Sequence, residues 1–475
     1  MKLHQIAIAV AALAAGSANA AMTAADQAII NDANANGRVI FISGASAVQK
    51  GFTGIIGTTF TGTTIRFSNT ATAGASRDYE AVAGKLAAGT GAWAGQNAII
   101  IYRVKGGSAF GVDPVARNTA IDALNVTSAT CGTNGDGSST TPYDCTTNTR
   151  VPDAGISDVA PFMFKSPINT EGEIAAASLT EGELSVLTST PIYGLAFGVP
   201  VTSTVPSTTK FTRSIVSAIM TGNVGTWDMV NSSLPADDIV ICRRVPGSGT
   251  QAVMNMWAGN FPCTADFNVP ADRDASGAWD AGSRTFTVAP GTGGLVVVEN
   301  STSGDVASCL DKAVTGGSYA TKDRDGQLVN VTFTSPGNKA IGVLSLDSLS
   351  KSKTTGNWQF RSLDGAGTYT WDNTANAPVA SGSGKFPTLA AYENGDWDMQ
   401  GWESFNVPSR TTGAKKQVLD KFLVNAQDPA ILASIADLKN VAAAIPGGAY
   451  TGPQVLDAAY LNGNQCAPYN RNYND

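Results

Sequence analysis

Hydrophobic positions along the chain fall into short runs, and most of these runs are divided from the next by turns of small residues. Arg38-Val-Ile-Phe-Ile-Ser43 is β-branched and aromatic throughout, the composition of a buried strand, and it follows a helical stretch over residues 24–33. A helix is predicted from about Val48, a strand over 63–67, a helix over 79–86 and a strand over 97–102. Strand, turn and helix in alternation mark βαβ units and a mainly parallel sheet.

The same alternation returns further on. Strands are predicted over 193–201, 238–243, 295–298 and 339–343, with helices over 211–221, 251–257, 306–314, 415–423 and 431–444. The middle third thus forms its own α/β set, bracketed by segments that belong together. The expected fold is α/β with two lobes. Residues 21–200 and 345–475 form a discontinuous first lobe, 201–344 the second, and the chain crosses between them near Pro200 and Leu344. Residues 271–283 and 356–384 interrupt the pattern, are rich in turn residues, and read as surface decoration.

The first twenty residues stand outside this pattern. Lys2, an apolar run from Ile6 to Ala15 and the small residues Ser17-Ala18-Asn19-Ala20 read as a signal peptide, with cleavage after Ala20 and a periplasmic destination. The apolar run is too short for an anchor. No cysteine lies near the cleavage point, so no membrane anchor is expected. Loss of Lys2 takes the formal charge from −7 to about −8 (−7 − 1), which argues against nucleic acid as a partner.

Composition then narrows the chemistry. The only histidine is His4, inside the signal peptide, so the mature chain has no imidazole for Ser-His-Asp, Cys-His or histidine-metal catalysis. Six cysteines suit an oxidising compartment. Cys131 and Cys145 flank one polar loop and are expected to pair, while the other four leave their pairing open. Asn134-Gly-Asp136-Gly137 and Asp323-Arg-Asp325-Gly326 echo calcium loops but lack the later glutamate, and read as turns. No cofactor and no metal is expected.

The sharpest motif is a strand over 238–243, then Arg244-Val-Pro-Gly-Ser-Gly-Thr250, then a helix. Glycines let backbone N–H groups converge on one concavity, and the helix points its positive end there. Ser248 and Thr250 add hydroxyls, and Arg244 adds a fork that can grip two oxygens. The plainer reading is a capped helix after a glycine turn. It is not a Walker A loop. Gly44-Ala-Ser46-Ala47-Val48, Gly74-Ala-Ser76 and Gly155-Ile-Ser-Asp158 share the grammar of small residues opening a helix. In open α/β sheets ligands bind at the carboxyl ends of strands, where such turns gather. Tyr102-Arg103-Val-Lys-Gly-Gly-Ser108 is one more strand-to-glycine turn, with Arg103 and Ser108 either completing such a site or edging the cleft.

Ser43-Gly-Ala-Ser-Ala-Val48, Gly155-Ile-Ser-Asp-Val-Ala-Pro161 and Arg243-Arg-Val-Pro-Gly-Ser-Gly-Thr250 resemble, in this order, motifs of the periplasmic phosphate-binding proteins, the substrate-binding components of phosphate ABC transporters. Ser214–Trp227, Asn300–Asp305 and Ala340–Val343 are similar to later segments of that family. The resemblance implies a periplasmic-binding-protein-like (type II) fold. It implies a monomeric carrier, not an enzyme, whose partners are a phosphate ion and a membrane permease. It assigns Arg244, Ser248, Gly249 and Thr250 to phosphate oxygens, and Asp158 to the proton that phosphate keeps near neutral pH. Ser46, Ala47, Val48 and Ser76 would supply the remaining donors. A helix N-cap is the plainer role for Asp158.

Two departures stand out. Pro246 occupies a place where the family has an acidic residue to orient the arginine, and about eighty residues separate Ser76 from Asp158, marking a large insertion. Phosphate is the expected ligand. Sulfate, molybdate, arsenate or a phosphorylated small molecule are the alternatives, ahead of an exported phosphate-ester enzyme or a surface interaction protein.

Overall fold

A computed structural model describes residues 22–45, 49–73, 75, 77–166, 168–170, 177–264, 267–270, 279–289, 295–353, 356–445, 453–460 and 464–471. The expected signal peptide and its cleavage point lie outside the described residues, as do Ser46, Ala47, Val48 and Ser76. None of the described helices is long and apolar enough to cross a membrane.

Two large sheets carry the fold. At the centre of the first, Val39–Gly44 runs parallel to Asn97–Arg103 on one side and to Ala154–Ser157 on the other. Antiparallel strands extend it: Phe60–Ser68 and Tyr79–Leu86 beyond Asn97–Arg103, and Gln400–Pro408 and Leu187–Gly198 beyond Ala154–Ser157. In the second, Val240–Arg244 lies parallel to Val296–Asn300 and to Ala340–Gly342. Both parallel cores are three strands wide, so each sheet offers carboxyl ends at which loops can converge.

Tyr79–Leu86 is a strand where a helix was expected. Its alanines favour a helix, but tertiary packing decides. Ala81 and Ala83 face a core shared with Ile30 and Ala33 of the helix Ala24–Ala35, while Val82 and Leu86 face another with Phe52. A strand buried on both faces has no polar side to show, so the period-two signal vanishes. Residues 431–444 likewise divide, into the helix Pro429–Ser434 and the strand Ala442–Ala444 against Leu187–Gly198.

The chain passes from the first sheet to the second between Gly198 and Pro200, and returns between Gly342 and Leu344. Residues 356–384 are not surface decoration attached to the first lobe. Trp358–Arg361, Gly367–Asp372 and Ala377–Gly382 add three antiparallel strands to the second sheet, next to Pro200–Thr202. Trp358, Phe360 and Tyr369 are buried there, and the apolar area they remove from water explains why this turn-rich segment is structured. The chain therefore crosses twice more before Gln400–Pro408 rejoins the first sheet.

Cys131 and Cys145 are paired, as the flanked loop suggested. Cys242–Cys309 ties Val240–Arg244 to the helix Ser303–Thr315, and Cys263–Cys466 ties the tail to the segment following the helix Gly249–Gly259. The two calcium-like fragments are turns closed by their own carboxylates. Asp136 accepts from the Ser138 amide and the Thr141 hydroxyl, and Asp323 accepts from the amides of Asp325 and Gln327.

Candidate functional site

The segment after Val240–Arg244 turns sharply because Gly247 takes φ +83°, a conformation that side-chain-bearing residues resist. Ser248 then caps the 11-residue helix Gly249–Gly259, its Oγ accepting from the Gln251 amide at 3.4 Å. The first turn of any helix leaves N–H groups without intrahelical partners. Here that end of the helix meets a second loop, from the other sheet.

That second loop leaves the strand Asn97–Arg103. The Ala109 amide donates to the Gly247 carbonyl at 3.0 Å, and a Cβ on Gly107 would stand 2.5 Å from the same oxygen. Ser108 is 1% exposed, and its Oγ accepts from the Asp158 amide at 3.2 Å. Thr250 closes the arrangement by donating its hydroxyl to Asp158 Oδ2 at 3.2 Å. Gly249 lies so close that an added Cβ would meet Ser108 Oγ at 2.3 Å and Asp158 Cβ at 2.7 Å. Asp158, Ser108, Gly249 and Thr250 thus form one contact between the lobes.

Arg244 lies beside them, 1% exposed. Its Nε donates to the Asn300 carbonyl at 3.2 Å and one terminal nitrogen to Ser303 Oγ at 3.2 Å. The other terminal nitrogen donates to the carbonyls of Ser301 at 2.6 Å and Gly106 at 3.3 Å. The carbonyls of Asn300, Ser301 and Gly106 and the Ser303 hydroxyl hold the guanidinium in place. Arg243 is engaged differently. Its guanidinium pairs with buried Glu299 at 2.7 Å, and Arg324 reaches the same carboxylate at 2.6 Å. Of the two adjacent arginines, only Arg244 faces the junction.

Burial pushes the Asp158 carboxyl up to about 6. The positive charge of Arg244 and the hydroxyls of Thr250 and Ser108 pull it down, and the charge of Asp347 pushes it up. Oδ2 has Thr250, but Oδ1 is buried with no hydrogen-bond partner. A buried carboxylate oxygen without a donor is costly, on the order of 1–3 kcal/mol, and marks a place where a donor is wanted.

Of the residues singled out from sequence, the structure brings Asp158, Arg244, Ser248, Gly249 and Thr250 together. Ser108 joins them. Arg103 does not: its guanidinium lies 3.7 Å over the Phe110 ring centroid and donates to the Lys105 carbonyl, bracing its own loop. Ser76 lies outside the described residues, between Phe60–Ser68 and Tyr79–Leu86, which are joined as an antiparallel pair. Gly106-Gly107-Ser108 follows Asn97–Arg103, one of the two strands parallel to Val39–Gly44.

Glu403 and Tyr193 escaped the sequence reading. Glu403 is fully buried, both carboxylate oxygens lack partners, and burial next to Asp158 and Asp347 pushes its carboxyl well above the usual range. The Tyr193 hydroxyl is likewise buried without a partner. The available signal was one acid inside the otherwise uncharged run Gln400-Gly-Trp-Glu403-Ser-Phe405.

No family model and no curated protein sequence matches this chain. Solved structures do resemble it. One is a putative phosphate ABC transporter substrate-binding protein with bound phosphate from Clostridium perfringens, at 11% identity and TM-score 0.43, covering 85% of this chain and 98% of that one. Another is a high affinity periplasmic phosphate-binding protein bound with phosphate, at 13% and 0.39, covering 85% and 90%. A possible phosphate binding protein from Planctomyces limnophilus stands at 9% and 0.35, covering 85% and 92%. The two-sheet α/β architecture is the class implied by the sequence resemblance. At these identities and TM-scores, the reading of the site rests on the chain's own geometry.

Proposed function

We propose that the chain is an exported binding protein that encloses inorganic phosphate between its two lobes and hands it to the permease of an ABC transporter. The observation that carries this reading is the Asp158 carboxylate, buried where the lobes meet, with one oxygen bonded to Thr250 and the other lacking a donor. Phosphate near neutral pH keeps at least one P–O–H to offer that oxygen. Sulfate has none, and would set its charge against a buried carboxylate.

The other groups suit the remaining oxygens. Ser248, Gly249 and Thr250 open a helix whose positive end faces the junction, and Arg244 adds a full positive charge held in place by carbonyls. Ser46, Ala47 and Val48 follow the central strand Val39–Gly44 and are proposed as further donors, with Ser108 supplying a hydroxyl and Ser76 kept as a candidate from the resemblance. Asp158, Arg244, Ser248 and Thr250 are each at most 1% exposed, so an anion enters by parting the loops at residues 106–110 and 245–250. Those loops come from different sheets, which makes entry and release a matter of lobe opening. Binding without catalysis is the proposed activity, with no cofactor, and the carrier is proposed to be a monomer without a membrane anchor.

Thermal unfolding with and without phosphate tests the proposal. Millimolar phosphate should raise the melting temperature of the wild type and leave Asp158→Asn unmoved. An equal shift in both would remove Asp158 from the site.

A further inference from the structure

Ala154–Ser157 and Gln400–Pro408 are antiparallel, with Ser157 opposite Ser404 and Ile156 opposite Phe405. Continued by one residue, that register sets Glu403 opposite Asp158. On the other side of the same strand, Glu403 is paired with Tyr193 of Leu187–Gly198. Asp158, Glu403 and Tyr193 therefore stand in a row across three neighbouring strands. Cross-strand neighbours hold their Cβ atoms about 4.5–5.5 Å apart, within reach of one another's side-chain ends.

Every member of the row has a buried oxygen without a partner: Oδ1 of Asp158, both carboxylate oxygens of Glu403, and the Tyr193 hydroxyl. The charges acting on the two carboxyls from other elements are Arg244, at the end of Val240–Arg244, and Asp347, in the turn Leu346–Lys351. Asp347 is itself engaged by the hydroxyls of Ser345 and Ser348. Two carboxylates cannot both remain charged side by side away from water, so one keeps a proton. Arg244 and the Thr250 hydroxyl both favour the charged form of Asp158, whereas neither carboxylate oxygen of Glu403 has a hydrogen-bond partner. The proton therefore stays on Glu403.

We infer that Glu403 is a positioning residue of the oxyanion site: a neutral carboxyl whose O–H takes one lone pair of Asp158 Oδ1, leaves the other for the anion's proton, and keeps Asp158 an ionised acceptor. This rests on the proposed role of Asp158 towards the anion. Donation from Glu403 stabilises the ionised form of Asp158 and fixes the direction in which its remaining lone pairs point. Oxyanions that bring a proton are then accepted, and those that do not are refused. Tyr193, on the far side of Glu403, closes the row with a neutral hydroxyl rather than a third charge.

The test has two arms. The chain has eight glutamates, so selective carbon-13 labelling of glutamate carboxyls gives a spectrum that can be assigned by difference with Glu403→Gln. Wild type should show one carboxyl still protonated at pH 7 and missing from the Gln variant; eight ionised glutamates at pH 7 would overturn the inference. In the second arm, calorimetry compares phosphate and sulfate at pH 7 for wild type, Glu403→Gln and Glu403→Leu. Gln, which also donates, should keep the phosphate preference within about threefold, whereas Leu should narrow it by about tenfold. A Leu variant that melts cooperatively and discriminates like wild type would overturn the inference while leaving the binding role intact. Wild type that binds neither anion would sink the binding role itself, and the positioning role with it.

Discussion

The Thr250 hydroxyl donates to Oδ2 of Asp158 at 3.2 Å, and through that bond a residue on the second sheet's helix holds a carboxylate carried by the first sheet. Thr250→Val keeps the shape and removes the donor. Phosphate affinity should fall by about tenfold, the worth of one hydrogen bond to a charged group. The apparent Asp158 pKa should also move further above 6, since the hydroxyl is one of the groups holding it down. Titration calorimetry over pH 5–8 reads both effects.

Asp158 gives the unliganded protein a pH dependence of definite sign. Its folded pKa of about 6 lies above the ordinary 3.8, so the folded state binds the proton more tightly than the unfolded chain does. The associated stability is fully present below about pH 3.8 and is lost as pH rises through about 6. Asp158→Asn removes the charge that opposes folding. At pH 8 it should therefore unfold at higher denaturant than wild type, by on the order of 3 kcal/mol, while losing phosphate binding. Chemical denaturation without phosphate checks the first half, and calorimetry checks the second.

Discrimination should follow the same titration. Above about pH 6 the carboxylate accepts a proton from phosphate and repels sulfate. Below it, protonated Asp158 becomes a donor that sulfate can use. Sulfate affinity should therefore rise as pH falls from 8 to 5, and the preference for phosphate should shrink. Competition between the two anions at matched ionic strength follows this directly.

Gly249→Ala separates the site from the helix. Alanine is the better helix former by up to about 1 kcal/mol, so the helix Gly249–Gly259 itself should not suffer. Its Cβ, however, would stand 2.3 Å from Ser108 Oγ and 2.7 Å from Asp158 Cβ, which prevents the two loops from meeting. The expected outcome is a chain that still folds but has lost phosphate-induced thermal stabilisation.

The adjacent arginines should part company. Arg243→Gln removes the buried guanidinium on Glu299 while Arg324 stays on the same carboxylate, and should cost about 1.5–3 kcal/mol of stability, with phosphate still bound below the melting temperature. Arg244→Gln should abolish phosphate binding. Denaturation and calorimetry on both variants distinguish the salt bridge from the site.

Much of this was legible because local chemistry and tertiary role agreed. Gly247, Ser248 and the apolar run after Thr250 are a turn, a cap and a buried helix face, and each helps to shape the proposed site. Cys131 and Cys145 flank one loop and close it. Elsewhere tertiary context overruled the local signal. Tyr79–Leu86 is helix-like in composition, yet it is a strand because neighbours cover both its faces. The strands over 358–382 look like loop because glycines and polar residues surround Trp358, Phe360 and Tyr369. Glu403 was hidden for a different reason. Its meaning comes from the strand register that sets it beside Asp158, and no local pattern carries that information.

We propose that a carboxylate-bearing junction between two lobes selects an oxyanion that brings its own proton. Calorimetry on the mature protein with phosphate and sulfate, at matched ionic strength and pH 8, tests it most directly. The account predicts phosphate affinity in the micromolar range or tighter, with sulfate at least about a hundredfold weaker, a gap of about 2.7 kcal/mol. Equal binding of the two anions, or binding of neither, would contradict it.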